Sequence, residues 1–518
     1  MACLPTDNSR VGIRVSALPI PDRHTRDVLD GCHPEAYPSV ACCCLAAALS
    51  GLMMSGCFWP VSAHWLAWIA LVPWLVVLPR LSARDVWLYG TGFGLVFHGV
   101  GLAWLFSVHG PLAGMVIVAL AVCAGLAFRV ARLLMDRLSP AAIVWALPLV
   151  FVGQEVLRCE GLPQLRFPFL ALGYSQSQNH WIAQIASIGG VHAISFLIVL
   201  VNAAIAWGIT RSRQGSGRRA FLPAIASIAA VLALAAVAQP RDYAGRPRIP
   251  AACVQVAKSD AGRSRELAQQ AADDPSRPRL LVLPEHTIAD TAAENRSVVR
   301  ALANMARNCR AIICVGAHTT APLGAVCDFN NVSMLIGSDG RILGEQPKLV
   351  PLPFFRDGVP GEAQSVTPTE YGAVGTYVCF DGLFTDIPRR VVDAGAEVLL
   401  VPNMDAETWP AQERWQHADM APFRSIELRR CAVRANGSGI SQIIDATGRV
   451  TACRTHDDGS GIVLGEVYLL SERTAFVRGG YLLVQAAGIG FVVIVVWLTL
   501  SEWRGHIARR LGAEATGG

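Results

Sequence analysis

Residues 377–405 read YVCFDGLFTDIPRRVVDAGAEVLLVPNMD. A β-rich run ends at Cys379, a helix-length stretch follows, and a second apolar run, GAEVLLVPN, closes the segment. Short apolar runs bounded by Gly, Pro and Asn read as strands, and a helix set between two of them is the grammar of an α/β domain. The same grammar extends to both sides. IPAACVQVA (249–257), PRLLVLPEHT (278–287), RAIICVGAHT (310–319) and NNVSMLIG (330–337) read as strands, while AAENRSVVRALANMARNC (292–309) and WQHADMAPFRSIELRR (415–430) read as helices. Residues 239–478, the length of one domain, are therefore expected to fold as an α/β sandwich with helices covering its sheets.

The rest of the chain is of another kind. Of 518 residues 53% are hydrophobic and 16% charged, against roughly a quarter charged in soluble domains, and the mean hydropathy is +0.40. That composition excludes a disordered chain and a wholly soluble enzyme. Apolar runs at 40–57, 62–79, 86–106, 111–128, 140–157, 182–210 and 220–238, with one more at 481–500, each approach the ~20 residues that cross a bilayer as helix. The expectation is about eight spans: a membrane domain of seven helices over 38–238 and a final helix at 479–502. Residues 1–37 lack the apolar core of a cleavable signal and read as a cytoplasmic extension, as does the tail at 503–518. Arginines fill every second connector, among them Arg80 and Arg84, Arg129 and Arg132, and Arg211 and Arg213. Positive loops stay inside, which puts 239–478 on the outer face, the periplasm of a bacterial inner membrane.

The sequence has 44 Lys plus Arg, of which Lys258 and Lys348 are the two lysines. A compact ammonium that survives in such an arginine-rich chain asks for a reason. Seven of the fifteen cysteines lie in the outer domain, an odd number without a C-x-x-C pair, so at least one is free and zinc-type spacing is absent. Cys42, Cys43 and Cys44 sit in an apolar helix and read as packing. Glu285 ends one apolar run, Cys379 ends another, and Lys348 follows a hairpin-like stretch. Loops at strand ends gather the sites of α/β domains. Taken singly, a strand-end Glu is usually a solvated cap, a strand Cys packing, and a lone Lys surface.

Together these residues resemble the nitrilase (carbon-nitrogen hydrolase) superfamily, whose members use Glu, Lys and Cys in that chain order. The likeness narrows at residues 414–450, RWQHADMAPFRSIELRRCAVRANGSGISQIIDATGRV, and at 167–203, FPFLALGYSQSQNHWIAQIASIGGVHAISFLIVLVNA. Both are similar to stretches of the apolipoprotein N-acyltransferase family. The resemblance implies an αββα sandwich inserted before the last span. It implies that Cys379 takes an acyl chain from a phospholipid as a thioester, that Glu285 is the general base, and that Lys348 stabilises the oxyanion with the Phe380 N–H as a further donor. It implies transfer to the N-terminal amine of a diacylglyceryl-cysteine lipoprotein at the membrane, with no cofactor, metal or nucleic acid. Asp381, Asn403, Trp415, His417 and Glu427 become candidates to line or support that site. Phe354, Phe355 and Trp409 are candidates for a lid or chain groove, or else for interfacial anchors.

Two positions depart from the family. Its Pro-Phe-Gly-Glu, which supplies a further carboxylate after the lysine, is here Pro353, Phe354, Phe355 and Arg356; Asp357 or Glu362 is available instead. Its Cys-Tyr-Glu is Cys379, Phe380, Asp381, one methylene shorter. The Arg356 departure motivates an alternative, a membrane-bound nitrilase-like amidase or an acyltransferase with another acceptor. A transporter or scaffold would instead place ionisable residues through the spans, which hold few beyond Glu155, His98 and His192.

Overall fold

The computed structural model describes residues 37–516 apart from 162–165, 242, 244, 257–259, 289–291, 323 and 364. Lys258 and the proposed extension, but for Tyr37, lie outside the described residues.

Two six-stranded sheets form the centre of the soluble half. The first has the order β12-β1-β2-β3-β4-β5: β1 Arg248–Gln255, β2 Leu280–Val282, β3 Ile312–Thr320, β4 Phe329–Ile336, β5 Ile342–Pro347 and β12 Gly461–Tyr468. The second has the order β11-β10-β9-β8-β7-β6: β6 Thr367–Thr369, β7 Gly372–Thr376, β8 Val398–Met404, β9 Ala432–Gly437, β10 Ser441–Ile444 and β11 Val450–Arg454. Side chains alternate along a strand. Ala251, Cys253, Leu280, Val282, Ile312 and Cys314 accordingly meet Val374, Val398, Leu400 and Val433 in the layer between the sheets. Ala252, Val254, Leu281, Ile313 and Val315 face the other way, onto the helices Ala261–Ala272 and Ala292–Cys309. Because both faces are covered, β2 and the first residues of β3 (Ile312–Ala317) and β8 (Val398–Val401) are apolar without interruption. The fold is thus an αββα sandwich joined to a half built of apolar helices.

Helices at Leu112–Met135, Ala141–Glu160, Ala186–Val237 and Phe476–Gly505 are long and apolar enough to cross a membrane, the third being two helices joined by a tight connection. Shorter apolar helices run over Val40–Ser55 and His64–Arg80. The last helix continues from Tyr481 to Thr516, beyond the boundary at 502 expected from hydropathy, because RRLGAEA is composed mostly of good helix formers.

The apolar half packs on the second sheet's helix layer, so Val378, Phe384, Val391 and Phe423 share one core with Phe128, Leu172 and Ile198. Polar bonds fix the joint. Trp104 Nε1 donates to Gln416 Oε1 (3.0 Å) and Gln416 Nε2 to the Gly101 carbonyl (2.8 Å). Thr385 donates to Glu160 through N–H and Oγ1 (3.1 and 2.8 Å). Helix Ala186–Arg211 breaks at Gly189 and Gly190, which frees the Val191 N–H for Glu427 Oε1 (2.8 Å). Gly190 has φ +71, and a Cβ there would meet Phe476 at 2.8 Å. A side chain at that position would push this helix away from the start of the last one.

Candidate active site

β2 is short, and Leu283 and Pro284 carry the chain into a turn at Glu285. The Glu285 N–H donates to the Asn403 carbonyl (3.3 Å), which links the first sheet to the end of β8 in the second. β3 crosses so closely that a Cβ on Gly316 would lie 2.3 Å from the Glu285 Cα. Lys348 is the first residue after the β4–β5 hairpin, and its N–H donates to the Asn331 carbonyl (2.8 Å). Both side chains are buried, at 2% and 1% exposure. Lys348 Nζ donates to Glu285 Oε1 at 2.8 Å and lies 2.7 Å from Asp357 Oδ2. Asn331 Nδ2 donates to Glu285 Oε1 (2.7 Å) and to Asp357 Oδ1 (2.9 Å). Two carboxylates thus share one ammonium and one amide.

Of the two carboxylates available after Lys348, Asp357 meets the ammonium and Glu362 is exposed. Asp357 also accepts the Leu352 N–H (2.6 Å), which closes the loop on itself. Phe354 takes a left-handed φ of +68 in this loop. Arg356, at the position of the family's glutamate, turns outward and pairs with Asp328 at 2.5 Å.

Cys379 opens a short 3-10 turn, Cys379–Leu383, after β7. Its φ of +47 is strained for a non-glycine residue, and Sγ lies 3.5 Å from the Met404 carbonyl. Asp381 in the same turn accepts the N–H groups of Leu349 (3.0 Å) and Val350 (2.8 Å), the two residues after Lys348. The shorter carboxylate therefore clamps the lysine loop to the cysteine turn. Burial would raise the Glu285 carboxyl, but the ammonium of Lys348, His286 and the bonds from Lys348 and Asn331 hold it down at about 2. Burial opposes the Lys348 charge, yet Glu285 and the groups around it keep that ammonium well above the ordinary lysine value. Burial and the Glu285 carboxylate raise the Cys379 thiol well above its usual value, with Lys348 pulling the other way. Burial pushes Asp381 up to about 7 against its backbone N–H donors and Lys348.

The remaining candidates divide. Phe380 is buried edge-on to Phe384 (5.1 Å) within the cysteine turn. Asn403 joins the Glu285 turn through its carbonyl, and its buried Oδ1 has no hydrogen-bond partner. His417 belongs to a second cluster: its Nδ1 donates to Asp405 Oδ1 (2.7 Å) and lies 3.7 Å from Glu413 Oε1. Asn436 Nδ2 donates to Asp405 Oδ2 (2.7 Å). Burial lowers His417 and raises Glu413 well above its usual value. Glu427 lies in the joint between the two halves, bonded to Val191 and Arg424. Trp415 is half-buried on helix Ala411–Leu428. Phe355 lies 5.4 Å from His109 and 5.9 Å from Trp409, ring to ring.

Asn331, Asp405 and Glu413 were not singled out from the sequence. β4 carries Asn330, Asn331 and Ser333 together, so nothing local marks Asn331 out; Asp405 and Glu413 lie in a polar segment that gives no contrast either. Among the described residues, Glu285, His286 and Asp357, and separately Asp405, Glu413 and His417, have the donor types and spacing of metal groups. In the first, the Lys348 ammonium stands between the carboxylates, where a cation would sit; in the second, Asp405 already accepts from His417 and Asn436.

Residues 50–204 match the family model described as apolipoprotein N-acyltransferase N-terminal domain. Residues 250–474 match the model described as carbon-nitrogen hydrolase. The chain is 28% identical to an apolipoprotein N-acyltransferase of Geobacter metallireducens over 506 residues, covering 87% of this chain and 94% of that one. It is 26% identical to one of Gloeobacter violaceus over 452 residues (79% and 85%), and 24% identical to one of Pseudomonas syringae pv. tomato over 471 residues (81% and 89%).

Proposed function

The chain belongs to the apolipoprotein N-acyltransferase family, and on that premise we propose that it moves an acyl chain from a phospholipid, through a thioester on Cys379, to the N-terminal amine of a diacylglyceryl-cysteine lipoprotein. The carrying observation is the meeting of Glu285, Lys348 and Asp357, buried and paired with one another, beside the strained turn that holds Cys379. The thiol is neutral at rest and Glu285 is ionised, so attack and proton transfer are coupled: Sγ bonds to the ester carbon as its proton passes to Glu285. Lys348 stabilises the tetrahedral oxyanion, and its fixed partners leave little reorganisation to make as charge develops. Glu285 then returns the proton to the departing lysophospholipid oxygen. In the second half the amine attacks the thioester and Cys379 leaves as thiol.

The membrane setting follows from the same reading. Eight spans with arginine-rich connectors inside put the sandwich at the periplasmic face of a bacterial inner membrane, so donor acyl chains stay in hydrocarbon while the ester reaches Cys379. Phe354, Phe355 and Trp409 form the rim over which those chains enter. The case for another acceptor rested on Arg356; with that residue on the surface and Asp357 on Lys348, the motive is weaker.

The test is to incubate the purified protein with phospholipid labelled in its acyl chain and look for label on Cys379 that hydroxylamine releases, then add a diacylglyceryl-modified peptide. Label on the enzyme followed by label on the peptide supports the reading. Label that passes only to water leaves the amidase, and an unlabelled enzyme overturns both.

A further inference from the structure

The overall transfer does not conserve protons. An ester and an ammonium become an alcohol, an amide and one free proton, because an α-amine with a pKa near ~8 arrives at neutral pH mostly protonated. In the first half-reaction Glu285 takes the thiol proton and gives it back to the leaving alcohol. In the second it takes an N–H proton and gives it back to the departing thiolate. The proton that makes the incoming ammonium a nucleophile has no place in that cycle. Glu285, at 2% exposure, has no surface of its own through which to export it.

His286 is the next residue, held at φ +57 so that its ring turns back over the cluster. Its Nε2 lies 3.8 Å from Glu285 Oε1 and 3.7 Å from Asp357 Oδ1, and its side chain is 24% exposed. Its Nδ1 is 2.7 Å from Nε2 of His318, a hydrogen bond between rings. His318, half-buried at the end of β3, stacks flat on Phe329 (3.8 Å, 14°). The charged groups facing His286 are Glu285 and Asp357, with Lys348 between them. Two carboxylates against one ammonium leave a positive ring there with a partner. Such separations in a substrate-free site close on binding.

We infer that His286, relayed through His318, is the base that removes the surplus proton from the acceptor's ammonium. The N–H proton passes to Nε2 of His286, the proton on its Nδ1 passes to Nε2 of His318, and His318 gives one proton to solvent from its other nitrogen; exchange with solvent then returns both rings to their starting tautomers. The freed electron pair on nitrogen attacks the thioester carbon. This inference rests on the thioester reading above and adds a division of labour: Glu285 serves both half-reactions, and the histidine pair serves the second alone.

The test compares His286→Asn, in which Asn tolerates the left-handed backbone, with the wild type in both half-reactions. Because His286 also faces Glu285, formation of the Cys379 thioester from labelled phospholipid is expected to fall by no more than about 10-fold, and an unchanged melting temperature in detergent reports an intact fold. Transfer to a diacylglyceryl peptide is expected to fall about 100-fold at pH 7, a typical loss for a general base. It should recover about fivefold between pH 7 and pH 8 as the free amine accumulates. His318→Gln should show the same selective loss, smaller in size. Equal rates in both halves, or an equal loss in both without recovery at higher pH, overturn the inference while leaving the thioester. A wild type that forms no thioester overturns the underlying reading and this inference with it.

Discussion

Two buried ionic clusters lie in the sandwich, and they are built differently. In the first, Lys348 bonds two carboxylates, which accept a shared amide from Asn331, and one edge opens through half-exposed His286. In the second, Asp405, His417, Glu413 and Asn436 are all at 5% exposure or less. There the histidine is neutral and bonded to the carboxylate, and Glu413 is raised well above its ordinary value. Both clusters satisfy the demand that buried charge be paired or neutralised. The first keeps full charges and adjoins the surface, as a site that must move protons requires. The second neutralises His417 and Glu413, keeps the one carboxylate of Asp405 against its hydrogen-bond donors, and ties helix Ala411–Leu428 to β8 and β9, as a brace requires.

The largest expected effect falls on the first cluster. Lys348→Met leaves Glu285 and Asp357 facing each other without a cation; thioester formation should drop by about 10³-fold and stability by about 3–5 kcal/mol, read by acyl labelling and by melting in detergent. Lys348→Arg keeps the charge but needs a planar fork in a place 1% exposed; turnover should still fall about 100-fold, and unchanged turnover would remove Lys348 from the oxyanion role. On the second cluster, Asp405→Asn should cost about 1–3 kcal/mol of stability and leave the labelling rate within a few-fold. If labelling vanished while the melt held, the brace would be part of the chemistry and the comparison would fail.

A pH series sharpens the contrast. Glu285 is held at about 2 in the fold against an ordinary 4.5. A depressed carboxyl stabilises the fold in full above the unfolded value and loses that contribution as pH falls toward 2. Melting temperature should therefore decline between about pH 5 and 2 in the wild type, and less steeply in Glu285→Gln. The smallest effect is expected at Arg356→Ala, whose guanidinium is at the surface with Asp328; labelling within about 2-fold is the expected result.

Much of this was legible in the sequence because it is local. Strands covered on both faces must be apolar throughout, so GAVGTYVCF and GAEVLLVPN announce themselves. The reactive residues at their ends could be found because each interrupts such a run. The Lys348 loop was less legible. Its ten residues have no periodicity, and whether Asp357 or Glu362 would reach the ammonium depends on how many residues the loop spends before turning back. His417 and Glu427 belonged to one recognised stretch, yet the first braces the sheet and the second holds the apolar half, because they lie about 15 Å apart along one helix.

The sequence by itself determined the apolar half, the alternation of strand and helix, and the three side chains Glu285, Lys348 and Cys379 at strand ends or beyond them. Each follows from hydrophobic period or residue type within a few positions. Only the tertiary structure decided which carboxylate neutralises Lys348, that Asn331 bonds both, that Asp381 clamps the lysine loop, and that His286 reaches His318. Apart from Lys348 and Asp357, nine positions apart in one loop, these pairings join residues 26 to 46 positions apart. Their geometry is set by how closely the backbones pack, as where Gly316 meets Glu285, and no local pattern encodes it.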